Sequence, residues 1–216
     1  MREAVTGHAT GMTKLLFAVT AADHWTLKDG SKHPTGFWAE ELVESHRTFI
    51  EAGFDVVVAT PGGTAPVVDE GSLSVDANGG DEAKVADQKE YLASIESTLQ
   101  KPLALEEQKA ADFDAIFVPG GHGPMEDLAV SSQFGALVSD FLDGGKLVST
   151  VCHAPAALLP ARRSDGAWAF DGYELTGFTD EEETQAGLAD VAHFLGGQAA
   201  VAVLIEMLEL ESGGAP

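Results

Sequence analysis

A single cysteine, Cys152, stands in 216 residues, so an intramolecular disulfide framework is excluded and a cysteine-rich zinc site is impossible. Basic residues are scarce: 12 Lys and Arg face 35 Asp and Glu, a formal net charge of −23. Between Asp112 and Pro216 the only ones are Lys146, Arg162 and Arg163. That scarcity makes nucleic acid a poor partner, because phosphate binding depends on clustered Lys and Arg and the counterions they release. The same sign argues against anionic lipid. No apolar run approaches the roughly 18 residues that a spanning helix needs. The N-terminus, M-R-E-A-V-T-G-H-A-T-G-M-T, lacks the basic region and apolar stretch of a secretory signal. Met12, directly before T-K-L-L-F-A-V-T, is a candidate start, with residues 1–11 then read as a leader or expression remnant. No H-E-x-x-H or comparable spacing indicates a metal site, and there is no internal repeat, low-complexity tract or phosphate loop. A protein of the cytoplasm, with no membrane or nucleic-acid partner, is the expectation.

What the chain has is apolar residues: 44% are hydrophobic, enough to offset the entropy of ordering despite the net charge. The length fits one domain with an embellishment. The acidic excess has two readings, adaptation to a cytosol of high salt or ordinary solubilisation by charge. In the first, salt would shorten the screening length to about 3 Å at 1 M and relieve the self-repulsion.

The alternation of elements is that of an α/β protein. Leu15–Ala21 is a short apolar run of the buried-strand kind. After a polar, Gly- and Pro-containing stretch from Asp23 to Gly36, W-A-E-E-L-V-E-S-H-R-T-F-I-E-A-G predicts an amphipathic helix. Its stripe is Trp38, Leu42, Val43, Phe49 and Ile50, and Gly53 ends it. Asp55–Pro61 is a second strand, completing a parallel crossover unit. Residues 62–111, Gly/Pro/Asp-rich and then a polar helix around Glu82 to Leu99, are expected to be an insertion beside the sheet. The alternation resumes with A-I-F-V-P-G-G-H-G, a helix Val130 to Leu142, the strand K-L-V-S-T-V and a helix from about His153 to Leu159. A hairpin-like stretch from Arg162 to Gly177, an acidic segment and a terminal helix Gln198 to Leu210 follow.

Cys152 falls between a predicted strand and a predicted helix. A nucleophile at such a turn is presented above the sheet edge, and a helix N-terminus favours its anion. This placement is expected to lower the thiol pKa from about 8.5. The bland reading is a small buried hydrophobe. His153, adjacent, suits a general base or acid near neutral pH. His122, in P-G-G-H-G, either lines the same crevice or faces water from a turn. Gly120 and Gly121 allow a turn with exposed N–H groups of the kind that stabilise an oxyanion, although glycines at a turn are more often there for conformation. His193, His46, His33, His24 and His8 read as surface or core histidines. Glu40 and Glu41 open the first helix, where the dipole favours negative charge, and residues 180–183 form a solvated acidic run. Neither cluster yields a single choice from the residues alone.

The segments H-P-T-G-F-W-A-E-E-L, A-G-F-D-V-V-V-A-T-P-G-G, F-V-P-G-G-H-G, V-C-H-A-P-A-A-L and L-T-G-F-T-D-E-E-E resemble the ThiJ/PfpI superfamily from about Leu15 to Asp190. Within it they are most similar to the glyoxalase III branch, whose members are also described as heat-shock chaperones and protein deglycases. The resemblance implies a class I glutamine amidotransferase-like fold: a flavodoxin-like three-layer sandwich with a mostly parallel central sheet and a nucleophile elbow. Residue by residue it implies Cys152 as nucleophile and His153 as acid/base. Glu41, rather than Glu40, would share a proton with the sulfur, and Glu183 would orient the histidine. The backbone N–H groups of Gly121 and His153 would be the oxyanion donors, with Gly120 and His122 beside them. The implied reaction turns methylglyoxal into lactate through a hemithioacetal, with no glutathione, metal or nucleotide and so no cofactor; the implied assembly is a homodimer. Relatives carry several dozen further residues before the terminal helix, where this chain runs A-D-V-A-H-F-L-G-G-Q-A-A-V-A-V-L, so residues 12–216 are expected to be one such domain with a shortened C-terminal part.

Other classes compete. A glutaminase of related fold needs a far-downstream histidine in a P-x-H-x-E context, and His193 does not provide it. An intracellular cysteine peptidase of the superfamily would complete its site between subunits. A stress-related holdase or redox sensor would oxidise Cys152 rather than turn over substrate.

Overall fold

The computed structural model describes residues 12–27, 29–173 and 175. In chain order the elements are β1 (Lys14–Ala18), β2 (His24–Thr26), β3 (Lys32–Pro34), α1 (Ala39–Glu51), β4 (Asp55–Thr60), α2 (Glu82–Ser94), α3 (Glu96–Leu99), β5 (Leu103–Ala104), β6 (Ala115–Val118), α4 (Gly123–Glu126), α5 (Ser132–Asp143) and β7 (Leu147–Thr150). Short 3-10 turns join several of them, among them Ala154–Leu158 directly after Cys152.

The central sheet has the order β5-β4-β1-β6-β7, and every pairing in it is parallel. Strand residues alternate between its faces. Leu15, Phe17 and Val19 join Phe117, Leu42 and Leu99 on one side, beneath α1 and the α2–α3 stretch. Leu16, Ala18, Ile116 and Val118 join Phe134, Val138, Phe141 and Leu158 on the other, beneath α5. The result is the three-layer α/β architecture, with strands covered on both faces and so apolar throughout.

From β1 the chain first builds outward to β4 and β5, then returns to the opposite side of β1 for β6 and β7. In such sheets the crevice at the carboxyl ends, where the order reverses, is where ligands bind. The turns after β1, β6 and β7 all open there.

Three local outcomes differ from expectation. The stretch Asp23–Gly36 contains a small antiparallel hairpin, β2–β3, with Trp25 directly opposite His33. Residues 62–111 do not lie wholly beside the sheet, because Leu103–Ala104 pair with Ala59–Thr60 as its outermost strand. Along α1 the buried positions are Ala39, Leu42, Val43 and His46, while Ile50 is 49% exposed. His46 packs edge-on to Phe17, and its Nδ1 lies 2.9 Å from the Tyr91 hydroxyl, tying α1 to α2.

Backbone crosses backbone at Gly36. A β-carbon there would lie 1.9 Å from the Val67 carbonyl oxygen, and one at Gly121 or Gly123 would lie 2.4 or 3.0 Å from the Gly36 oxygen. The Gly123 N–H donates to that same oxygen at 3.2 Å. The hairpin exit, the 67–69 segment and the turn after β6 therefore meet without side chains between them. No helix among the described residues is long and apolar enough to cross a membrane.

Candidate functional site

Cys152 is half-buried and has φ 55°, the only positive φ at a non-glycine among the described residues. A left-handed cysteine costs about 1–3 kcal/mol and persists only where its surroundings hold it. Here β7 ends at Thr150, the Val151 N–H donates to the Val118 carbonyl, and the chain then bends into the 3-10 turn, whose second residue is Pro155. The elbow points the thiol above the carboxyl ends of β6 and β7.

Three neighbours surround the sulfur. His153 Nδ1 lies 3.1 Å from Cys152 Sγ, with donor and acceptor set by the ring tautomer. The Glu41 side chain, from the first turn of α1, is hydrogen-bonded to Cys152. The backbone N–H groups of Gly121 and His153 point at the sulfur as well. Glu41 Oε2 accepts from the Gly120 N–H at 2.7 Å, so Gly120 serves the carboxyl and is not open to an oxyanion. Its carbonyl accepts from the Trp38 N–H at 3.1 Å. Glu40 turns away to Lys84 Nζ, 2.5 Å distant. Of the two glutamates that the residues alone left open, the fold thus brings only Glu41 to the cysteine. Glu183 lies outside the described residues.

The electrostatics differ from the expectation of a depressed thiol pKa. Burial pushes the Cys152 thiol far up, the Glu41 charge adds to it, and the two N–H groups only partly oppose them. The five-residue 3-10 turn Ala154–Leu158 supplies little of the dipole that a full α-helix would. Burial raises Glu41 too, against its hydrogen bonds with Cys152 and Gly120 and the attraction of His153. Two half-buried acids in contact hold one negative charge more readily than two, so they titrate as a pair.

His122 extends the site. Its ring centroid is 4.4 Å from that of His153, it stacks on Trp25 at 5.5 Å and 4°, and His33 meets it edge-on at 6.1 Å and 87°. Trp25 and His33 were not singled out by sequence; their only signal was an aromatic and a histidine in a polar stretch, and three-residue strands are too short to show a period. His122 and His33 line a cavity of about 590 Å³ together with Asp23, Trp38, Val68, Asp69 and Glu70. Asp69 is structural: Oδ2 accepts from the Thr35 hydroxyl at 2.6 Å and Oδ1 from the Gly71 N–H at 2.9 Å.

Asp127, also unmarked by sequence, anchors the loop after β1. It accepts from the Thr20 hydroxyl and from the N–H groups of Ala21, Ala22 and Leu128 at 2.7–3.1 Å. Burial raises its pKa against those donors. No group of three or more His, Cys, Asp or Glu among the described residues is arranged to hold a metal ion.

The family model described as DJ-1/PfpI family matches residues 33–169. The chain is 32% identical over 183 residues to the protein/nucleic acid deglycase HchA of Pseudomonas aeruginosa, covering 82% of this chain and 61% of that protein. It is also 32% identical to the glutathione-independent glyoxalase HSP31 of Saccharomyces cerevisiae, covering 82% and 73%. The crystal structure of glyoxalase III from Candida albicans is 25% identical and superposes with a TM-score of 0.69, covering 83% of this chain and 73% of that one. The chain thus spans less than two thirds of the length of the Pseudomonas relative.

Proposed function

The chain belongs to the DJ-1/PfpI family, and from that premise we propose that it is a cofactor-independent glyoxalase converting 2-oxoaldehydes such as methylglyoxal to 2-hydroxy acids such as lactate. One observation carries the reading: a left-handed cysteine whose sulfur lies 3.1 Å from a histidine nitrogen and is hydrogen-bonded to a half-buried carboxyl. A nucleophile, a base and a proton-sharing acid in mutual contact suit addition to a carbonyl.

The proposed steps balance. As the Cys152 sulfur bonds to the aldehyde carbon, the carbonyl π pair moves to oxygen and the thiol proton passes to Glu41. The oxyanion is stabilised by the N–H groups of Gly121 and His153. His153, held by Glu183, removes the proton from C1 while Glu41 passes the former thiol proton to the ketone oxygen, and the enediol-type intermediate so formed takes the His153 proton at C2 and becomes a 2-hydroxy thioester. The hydroxyl of water then replaces the sulfur at the carbonyl carbon, the carbon–sulfur bond breaks, and the remaining proton of that water returns to Cys152. The aldehyde carbon is oxidised by two electrons and the ketone carbon reduced by two, so one water is consumed and no redox partner is required.

The cavity beside His122, about 590 Å³, has room for more than a three-carbon oxoaldehyde. That favours a compatible second reading, release of the adduct from a glycated protein side chain, in line with the deglycase name of a relative. With a net charge of −23, nucleic-acid adducts are not proposed as substrates. A homodimer in the cytoplasm is the proposed working form.

The test is lactate formation from methylglyoxal without glutathione. Cys152→Ser should lower it at least about a hundredfold while the protein remains folded; undiminished turnover in that variant overturns the reading.

A further inference from the structure

With Trp38 as the N-cap of α1, Glu41 is the third helical residue, the place from which a capping-box glutamate reaches back to the N–H of the cap. That closure is not made. The Trp38 N–H donates instead to the Gly120 carbonyl at 3.1 Å, and Glu41 Oε2 accepts from the Gly120 N–H at 2.7 Å. One residue of the turn after β6 is thus inserted into the box, bound at both its polar groups by a single helical turn. That helical turn is itself held from outside: Trp38 offers no side-chain cap, and Ser72 Oγ, on a side chain buried in the 62–111 stretch, accepts from the Ala39 N–H at 3.0 Å.

The consequence falls on the next peptide. In a trans peptide the carbonyl and the following N–H point in opposite directions. Fixing the Gly120 carbonyl toward Trp38 therefore fixes the Gly121 N–H away from it, toward the Cys152 sulfur. Both residues of this peptide are glycine, and Gly121 sits at φ 91°, so neither carries a side chain that resists rotation of the plane between them. A turned peptide would bring the Gly120 oxygen to the side where the N–H now points, and an oxygen there repels an anion instead of stabilising it.

We infer that Trp38 is a positioning residue whose main-chain N–H holds the 120–121 peptide in the one orientation that offers the Gly121 N–H to an oxyanion formed at Cys152. The oxyanion rests on the glyoxalase reading; the orientation of the peptide is a property of the resting protein and can be measured without turnover.

The test replaces residue 38 of the whole chain by its α-hydroxy analogue, indole-3-lactic acid. The ester so formed lacks this single N–H, keeps the indole and adds no bulk. Hydrogen exchange at the Gly121 amide, followed by NMR, should be slow in the wild type and at least about tenfold faster in the ester. Alkylation of Cys152 by iodoacetamide at fixed pH should slow by about threefold or more, because the sulfur loses a donor and meets a carbonyl oxygen. A turn that was merely loosened would expose the sulfur and speed the reaction. For methylglyoxal, kcat should fall at least about tenfold with KM within about twofold, since an oxyanion donor acts in the transition state. The same replacement at Leu42 is the comparison: it removes the hydrogen bond from the Leu42 N–H to the Trp38 carbonyl and leaves both partners of Gly120 in place, so all three readouts should stay within about twofold. Unchanged or faster alkylation in the residue-38 ester, or equal effects from the two esters, overturns the proposal. If the residue-38 ester does not fold, the wild type decides, fast exchange at Gly121 refuting the proposal and slow exchange supporting it. Absence of lactate formation by the wild type would sink the glyoxalase reading separately and leave exchange and alkylation to decide.

Discussion

Glu41 and Cys152 are joined by a side-chain hydrogen bond across the mouth of the sheet, and burial raises the pKa of both partners. Replacing Glu41 by Gln removes the charge that opposes thiolate formation. The midpoint for Cys152 alkylation by iodoacetamide should therefore fall in Glu41→Gln. Lactate formation should fall at the same time, because the acceptor of the thiol proton is gone. Slower alkylation in the variant would refute this account. Glu40→Gln is the control: it breaks only the partly exposed pair with Lys84, so both readouts should stay within about twofold of wild type.

The same carboxyl predicts a pH-dependent stability difference. Burial holds its folded pKa above the ordinary glutamate range, so its favourable contribution is present below the unfolded pKa and is lost as pH rises through the folded pKa. Gln carries no such penalty. Glu41→Gln should melt above the wild type near neutral pH, by about 2–4 °C per kcal/mol of relief, and the gap should close toward pH 4. A gap that widens on acidification would contradict the sign.

Gly120 should tolerate no side chain. A β-carbon would lie 2.7 Å from Cys152 Cβ, 2.7 Å from the Val151 oxygen and 2.8 Å from Glu41 Oε2. Two of those contacts cannot swing away. Gly120→Ala should lose about 1–3 kcal/mol in thermal denaturation and most of its turnover. Gly79, left-handed at φ 68° with open space around it, should lose only about 1–2 kcal/mol on the same change and keep its turnover. Equal behaviour of the two variants would show that crowding at the elbow is not what matters.

The net charge of −23 predicts salt dependence. If the acidic surface is adapted to high salt, melting temperature and turnover should both rise from low ionic strength to about 1 M, as the screening length contracts to about 3 Å. Full stability and activity in dilute buffer would favour plain solubilisation by charge.

The four longer strands were legible because each is a short apolar run bounded by turn residues, as in L-L-F-A-V before Thr20 and A-I-F-V before Pro119. The hairpin was not: its partners are three residues long, and the register that sets Trp25 against His33 has no local code. Helical position could not separate Glu40 from Glu41, since both suit a helix start; family resemblance selected one, and the fold shows its neighbour held by Lys84. The left-handed backbone of Cys152 lies where Gly120 leaves room for its β-carbon, and nothing in the residue's own identity signals that conformation. Nothing in the sequence marks Asp127, because the N–H groups of Ala21 and Ala22 converge on it only once the loop after β1 is folded.

The crossing at Gly36, where carbonyls and N–H groups rather than side chains meet, separates the shape of the cavity from its chemistry. Asp23, His33 and Glu70 are carried on a frame that none of them helps to hold at that crossing. A change at any of these three positions should therefore alter the cavity's lining while leaving the crossing in place, whereas a β-carbon at Gly36, Gly121 or Gly123 would displace the frame itself.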